Sequence, residues 1–303
     1  MAMRVLDAGA NGAGAVCFSP DGRTLAVGDR AVVVFSLFDD RRLPVRLRTG
    51  AVRQLAFHPH RPRLFALAGN DFRVDDIDGS GFRPRFQRLT YADRFALGTD
   101  GGAVLSGRFD LERNGSRLRR YADVSNAIDT DWPADPTGDG NLHWGLAWVP
   151  GTDRFAVAEW EGEFPEYRTA VTVRAAATGG VVAKTVWGSS ACTLAAAPDG
   201  TLIAAAKAVL AAWPGGDLAR PPRTIANDSR KHFTGIAFHP SGRYLAATSN
   251  DATVKLFDTA AWEVTHTFTW AVGRMRSVAF SPDGALAAAG SDTGKVVVWD
   301  VDL

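Results

Sequence analysis

A closed, all-β ring of seven four-stranded sheets is the fold this 303-residue sequence predicts, on three observations. A short turn motif recurs from one end of the chain to the other, its spacing is that of one four-stranded unit, and the last unit lacks a strand that the first residues supply. The motif is fullest at Phe18-Ser19-Pro20-Asp21-Gly22 and Phe280-Ser281-Pro282-Asp283-Gly284. Phe57-His58-Pro59, Trp148-Val149-Pro150-Gly151, Ala197-Pro198-Asp199-Gly200 and Phe238-His239-Pro240-Ser241-Gly242 repeat it, and Leu97-Gly98-Thr99-Asp100-Gly101 has lost the proline. Between Pro20, Pro59, Thr99, Pro150, Pro198, Pro240 and Pro282 the steps are 39, 40, 51, 48, 42 and 42 residues. A radial blade of four strands takes about 40 to 45.

Within each unit the strands follow from local chemistry. In the last, Ser277 to Phe280 is an inner strand and Pro282-Asp283-Gly284 a tight turn, in which Pro presets φ and Gly accepts a positive φ. Leu286 to Gly290 is a second strand and Val296 to Trp299 a third. The fourth is missing. Met3 to Leu6 precede the first inner strand and have no other place in the repeat, so they are expected to be the outer strand of the last unit. That closure leaves no free edge at the seam. The predicted fold is a seven-bladed β-propeller of four-stranded antiparallel blades, one domain over residues 1–303.

The Phe-Ser-Pro-Asp-Gly turn, a following strand of small residues, and an Asp six positions before an aromatic-Asp pair together resemble the WD-repeat β-propeller family, over the whole chain. Asp251 with Phe257-Asp258 fits best; Asp29 with Phe35-Ser36 and Asp71 with Ile77-Asp78 keep the spacing and lose one member of the pair. Trp299-Asp300 is the one true Trp-Asp, with its acid one place early at Asp292. The third to fifth units end at Tyr121-Ala122, Arg174-Ala175 and Trp213-Pro214, without the matching Asp. No unit carries the family's Gly-His pair, so its buried hydrogen-bond network is expected to give way to packing. The resemblance implies scaffolding at the level of the class only.

Composition excludes several alternatives. With 46% apolar and 22% charged residues the chain can bury a core. Its longest apolar stretch, Thr201 to Trp213, is interrupted by Lys207 and too short to span a bilayer. The start Met1-Ala2-Met3-Arg4 lacks the apolar run of a secretory signal, which makes the cytoplasm the expected compartment. Cys17 and Cys192 read as small buried residues. A formal charge of +1 gives no drive toward nucleic acid or membrane. The arginines of the first two units, Arg41, Arg42, Arg46, Arg48, Arg53, Arg61 and Arg63, and Arg117, Arg119 and Arg120 of the third, read as charges guarding strand edges.

Catalytic motifs are absent: no Gly-x-Ser-x-Gly, no His-Glu-x-x-His, no Cys-x-x-Cys, no phosphate-cradling loop. The chain is therefore read as a non-enzyme without a cofactor or metal. Asp76 to Gly81 and Asp135 to Asn141 resemble oxygen-rich cation loops but lack a closing Glu. His58 and His239 stand where other units have Ser and are expected to cap their turns. His143 and His232 lie in loops entering inner strands. If they converged with acids on the axis they would support the alternative function, a channel that binds a small molecule or metal and is possibly hydrolytic.

The repeat is broken on one face. The fourth unit carries Ala158-Glu159-Trp160-Glu161-Gly162-Glu163-Phe164-Pro165-Glu166-Tyr167-Arg168 between its second and third strands, and the connection before it, Asp129 to Trp144, is long too. Together they bring acids and aromatics to one side, the material of binding hot spots. The candidate partner-binding residues are Trp132, Asp135, His143, Trp144, Trp160, Glu161, Glu163, Phe164 and Tyr167. The expected partner is a protein or peptide bearing Arg or Lys, with no nucleic acid or membrane involved and the chain a monomer. Arg230-Lys231 and Arg274 with Arg276 enter the sixth and seventh units from equivalent loops and would make the face electrically two-sided.

Overall fold

In the computed structural model, residues 3–9, 12–48, 50–69, 71–78, 81–89, 92–107, 117–121, 143–161, 166, 168–188, 190 and 192–301 are described. They form seven antiparallel sheets. Strand β1 (Met3–Asp7) precedes the first sheet, which is β2 (Ala15–Phe18), β3 (Thr24–Gly28), β4 (Ala31–Ser36) and β5 (Arg42–Arg48). The second is β6 (Val52–Phe57), β7 (Arg63–Ala68), β8 (Asp71–Asp78) and β9 (Gly81–Leu89). The third has three strands among the described residues, β10 (Ala92–Leu97), β11 (Ala103–Gly107) and β12 (Arg117–Tyr121). The fourth is β13 (His143–Val149), β14 (Arg154–Glu161), β15 (Arg168–Ala175) and β16 (Val181–Val186), and the fifth β17 (Thr193–Ala196), β18 (Leu202–Ala206), β19 (Val209–Trp213) and β20 (Arg223–Ala226). The sixth is β21 (Phe233–Phe238), β22 (Tyr244–Ser249), β23 (Thr253–Asp258) and β24 (Glu263–Thr269). The seventh is β25 (Met275–Phe280), β26 (Leu286–Ser291) and β27 (Lys295–Asp300), completed by β1. This is the seven-bladed propeller. The chain divides into two compact units, residues 1–87 with 227–303, and residues 88–226.

The closing strand binds as the repeat requires: Met3 to Asp7 pair antiparallel with Trp299 to Lys295. Leu6 is its buried anchor, Ala8 donates its N–H to the Gly294 carbonyl at 3.0 Å, and Lys295 bonds Asp7 across the seam.

The recurring turn works through one side chain. Ser19 and Ser281 each accept the N–H that opens the second strand, from Thr24 at 3.0 Å and Leu286 at 2.8 Å. Each also donates to the Asp two residues on at 2.6 Å, and those bonds hold the Asp21 and Asp283 carboxyls below the usual range. His239 and His58 brace the turn itself instead of the strand that follows, His239 Nδ1 accepting the Ser241 N–H at 3.1 Å and His58 Nδ1 the His60 N–H at 3.0 Å. The turn glycine is left-handed wherever it is present, at Gly22, Gly101, Gly151, Gly200, Gly242 and Gly284, with φ between 68° and 86°.

The missing Gly-His pair is not uniformly replaced by packing. In the sixth sheet Ser229, in the loop before β21, donates to Asp251 Oδ2, so a polar network survives with a hydroxyl in place of an imidazole. In the first sheet Asp29 keeps its place in the turn, yet its Oδ2 is buried with no hydrogen-bond partner.

Cores lie between neighbouring sheets, filled by Val, Leu, Ala and Phe from second and third strands. One polar intruder has a measurable consequence. Asp75 on β8, 1% exposed, shares a face with Ile77, which packs on Val32, Val34 and Leu64. Arg73 Nη2 lies 3.4 Å away. Burial raises the Asp75 carboxyl above its ordinary value despite that guanidinium, and the nearby Asp76 charge adds to the rise. A folded-state pKa above the unfolded one means that folding favours the protonated acid, so stability is lost as pH climbs from about 4 through the folded value. The Asp75→Asn protein is expected to lose less melting temperature over that climb, measured by thermal melts at stepped pH. Parallel curves would refute it.

Candidate functional site

Four of the candidate residues, His143, Trp144, Trp160 and Glu161, belong to the fourth sheet, and its second hairpin is the reason. β14 and β15 pair over eight positions, Arg154↔Ala175 through Glu161↔Arg168, whereas the second and third strands of the other sheets pair over five or six among the described residues. Trp160 and Glu161 therefore belong to a strand, opposite Thr169 and Arg168, and not to the connecting loop in which the charge-rich sequence places them. The hairpin is buried on both faces up to its last pairs, Ala158, Ala170 and Val171 being fully buried on successive positions.

β13 enters at the same end. His143 pairs in register with Glu159, and a bulge falls between His143 and Gly145, at Trp144. Gly145 is required there: a Cβ on it would sit 2.8 Å from the Cys192 carbonyl of the next sheet. The backbone thus brings His143, Trp144, Trp160 and Glu161 to one end of one sheet. Trp132, Asp135, Glu163, Phe164 and Tyr167 lie outside the described residues.

The acids of this hairpin divide into two roles. Glu161 is surface-facing, its Oε1 2.8 Å from Lys184 Nζ on β16 while its Oε2 has no partner, and Glu166 is exposed. Glu159 is internal and drops out of the acidic rim. It is 4% exposed and takes both Arg174 Nη2 bonds, at 2.9 and 3.2 Å. Arg174, 2% exposed, also donates through Nε to Thr172 Oγ1 at 3.2 Å and through Nη1 to the Gly179 carbonyl at 3.2 Å. Arg174 occupies the slot that the other units give to Phe, Ile, Tyr or Trp, and a forked, fully bonded ion pair makes it tolerable inside. Sequence reasoning missed this pair, although an Arg in an aromatic slot was the available signal. Trp160 is half-buried, with its indole Nε1 out of contact with solvent.

Elsewhere the candidate chemistry dissolves into structure. Both Asp76 carboxylate oxygens are taken, by Arg63 and Arg85, so Asp76 has no free oxygen to give a cation; Gly79, Ser80 and Asp135 to Asn141 are outside the described residues. Arg63 is itself 6% exposed and so is no surface guard. Cys17 and Cys192 are free thiols, and burial pushes Cys192 up to about 12. Among the described residues no three His, Cys, Asp or Glu stand close enough to hold a metal. No helix among them is long and apolar enough to cross a membrane.

Comparison with known proteins agrees with this geometry. The family described as "WD domain, G-beta repeat" matches residues 222–258 and 262–300, the sixth and seventh units. The WD repeat-containing protein VIP3 of Arabidopsis thaliana is 38% identical over 82 residues, covering 22% of this chain and 26% of that protein. The chain thus matches about a quarter of that relative's length. Among solved structures, the β-propeller domain of Cps50 (Swd1) from Myceliophteria thermophila superposes with a TM-score of 0.79 at 16% identity, covering 99% of this chain and 100% of that one. At that identity the likeness is one of fold.

Proposed function

Since the chain is a WD-repeat β-propeller, we propose that it acts as a non-catalytic scaffold or adaptor, binding a protein or peptide on the loop end of its fourth sheet. The observation that carries this is the over-long β14–β15 hairpin, which takes Trp160 and Glu161 beyond the pairing length of the other sheets. A rigid strand end is a better platform than a loop, because the partner need not order it on binding. Trp160 supplies aromatic area at low entropic cost, and Glu161, its side chain 41% exposed, supplies a carboxylate that an arginine or lysine can share with Lys184. The partner is accordingly a basic segment of another protein, neither a nucleic acid nor a membrane, met by a monomeric propeller inside the cell. His143 and Trp144 on β13 belong to the same end of the sheet, and Trp132, Asp135, Glu163, Phe164 and Tyr167, outside the described residues, are proposed as further contacts.

Affinity capture from a lysate of the source organism tests this, comparing the parent with a Glu161→Arg, Phe164→Ala, Tyr167→Ala protein of unchanged melting temperature. Trp160 is left in place because it is half-buried. A protein recovered by the parent and lost from the variant is the expected result. The same proteins recovered by both would move the platform elsewhere.

A further inference from the structure

Asp251 and Asp292 lie in corresponding turns, between the second and third strands of the sixth and seventh sheets, and each fixes the loop leading into its own inner strand. Asp251 accepts from the Ser229 hydroxyl, and Asp292 Oδ1 accepts the Arg274 backbone N–H at 2.9 Å. A second brace holds the sixth-sheet loop. Lys255, its side chain 5% exposed, donates to Asn227 Oδ1 at 2.9 Å and to Asp228. Asn227 in turn donates to the Lys231 carbonyl at 2.8 Å and to Ser249 Oγ at 3.0 Å. Arg276 ties the two sheets together, with Nη1 3.3 Å from Asn250 Oδ1 and Nη2 3.6 Å from Asp292 Oδ2.

The acids of this region, with Lys255 and Arg276, are spent holding its loops; three further cations are not. Arg230, Lys231 and Arg274 are exposed, and among the described residues none of their side chains joins an ion pair. Arg230 is held at φ 57°, a left-handed conformation costly for a side-chain-bearing residue, with its N–H bonded to the Asn227 carbonyl at 2.9 Å. Braced loops carrying unpaired cations are preorganised for an anionic partner. The indole in these loops is already used, since Trp270 packs 4.9 Å from Trp299 and stacks on Phe268 at 5.5 Å, leaving His232, among the described residues, as the one exposed ring beside these cations.

We infer that the loop ends of the sixth and seventh sheets dock an acidic segment of a partner protein, an extended stretch rich in Asp and Glu, through Arg230, Lys231 and Arg274. The surface lies in other sheets than the one proposed above and selects the opposite charge, so it stands or falls separately. Each of the three cations meets carboxylates as a point or forked donor, and Arg276 fixes the spacing between the two loops.

The probe is a fluorescein-labelled peptide of alternating Asp and Glu, titrated with the full chain by fluorescence anisotropy at low and physiological salt. An Arg230→Glu, Lys231→Glu, Arg274→Glu protein removes the site. It keeps every backbone bond named, and its fold is checked by its melt. An Arg23→Glu, Arg61→Glu, Arg154→Glu protein makes the same change of net charge on exposed turns at the other ends of their sheets. Expected is binding that salt weakens, at least about tenfold poorer in the first variant and retained in the second. Absence of binding to the parent, or equal loss in both variants, would overturn the inference. So would a single-stranded oligonucleotide of equal charge that binds as tightly and is lost with the first variant.

Discussion

Glu159→Ala is expected to cost about 3–5 kcal/mol of folding stability, the loss that follows when one partner of a buried ion pair is removed. The magnitude comes from what is left behind. Arg174 is 2% exposed, and without the carboxylate its guanidinium keeps only Thr172 Oγ1 and the Gly179 carbonyl, neither carrying a compensating charge. No water reaches that position to screen it. Glu159→Gln, which preserves shape and one acceptor, should fall between the alanine variant and the parent. Replacing both members, Glu159→Leu with Arg174→Met, should recover most or all of the loss, because an apolar pair pays no desolvation. Chemical denaturation of the four proteins checks the series. An alanine variant within about 1 kcal/mol of the parent would mean that the pair contributes little, as exposed pairs do.

Trp299→Ala should cost a similar amount, about 3–5 kcal/mol, for a different reason. The indole is 3% exposed and sits between its own sheet and the sixth, 4.9 Å from Trp270 and 5.6 Å from Phe268, among Leu256, Met275 and Val297. Its deletion leaves a cavity in a seam of rigid strands that have little freedom to collapse, and strips two ring contacts from its neighbours. Trp299 is also the residue opposite Met3, so the same substitution loosens the outer end of the closing strand. Denaturant unfolding followed by intrinsic fluorescence gives the number. A loss below about 1 kcal/mol would place the stability of this seam elsewhere.

Much of the fold was legible because its signals are local. A Pro-Asp-Gly turn needs only its own residues, so Ser19, Ser281 and even His239 in the Ser position announce the start of a second strand wherever they occur. Closure by Met3 to Leu6 was legible by arithmetic, as one strand was surplus at one end and one was missing at the other. What escaped was chemistry that crosses strands. Arg174 reads as a lost aromatic until Glu159, fifteen residues earlier, is seen to reach it. The run Glu159-Trp160-Glu161 reads as a loop because charge interrupts it; only the pairing with Arg168 and Thr169 makes it strand. Ser229 could not be matched to Asp251 from spacing, since a hydroxyl substitutes for an imidazole only when the loop brings it closer. At the candidate site, what the sequence did not carry is the division of the hairpin's acids between a buried Glu159 and a surface Glu161.

Site-specific photo-crosslinking tests the scaffold reading most directly. A photoreactive phenylalanine replaces Glu161 in one protein and Asp153 in another; Asp153 is exposed in the β13–β14 turn, at the opposite end of the same sheet. Both are irradiated in lysate of the source organism. The account predicts a discrete adduct from position 161, absent from position 153 and competed away by unlabelled parent. No adduct from 161, or identical adducts from both positions, would contradict it.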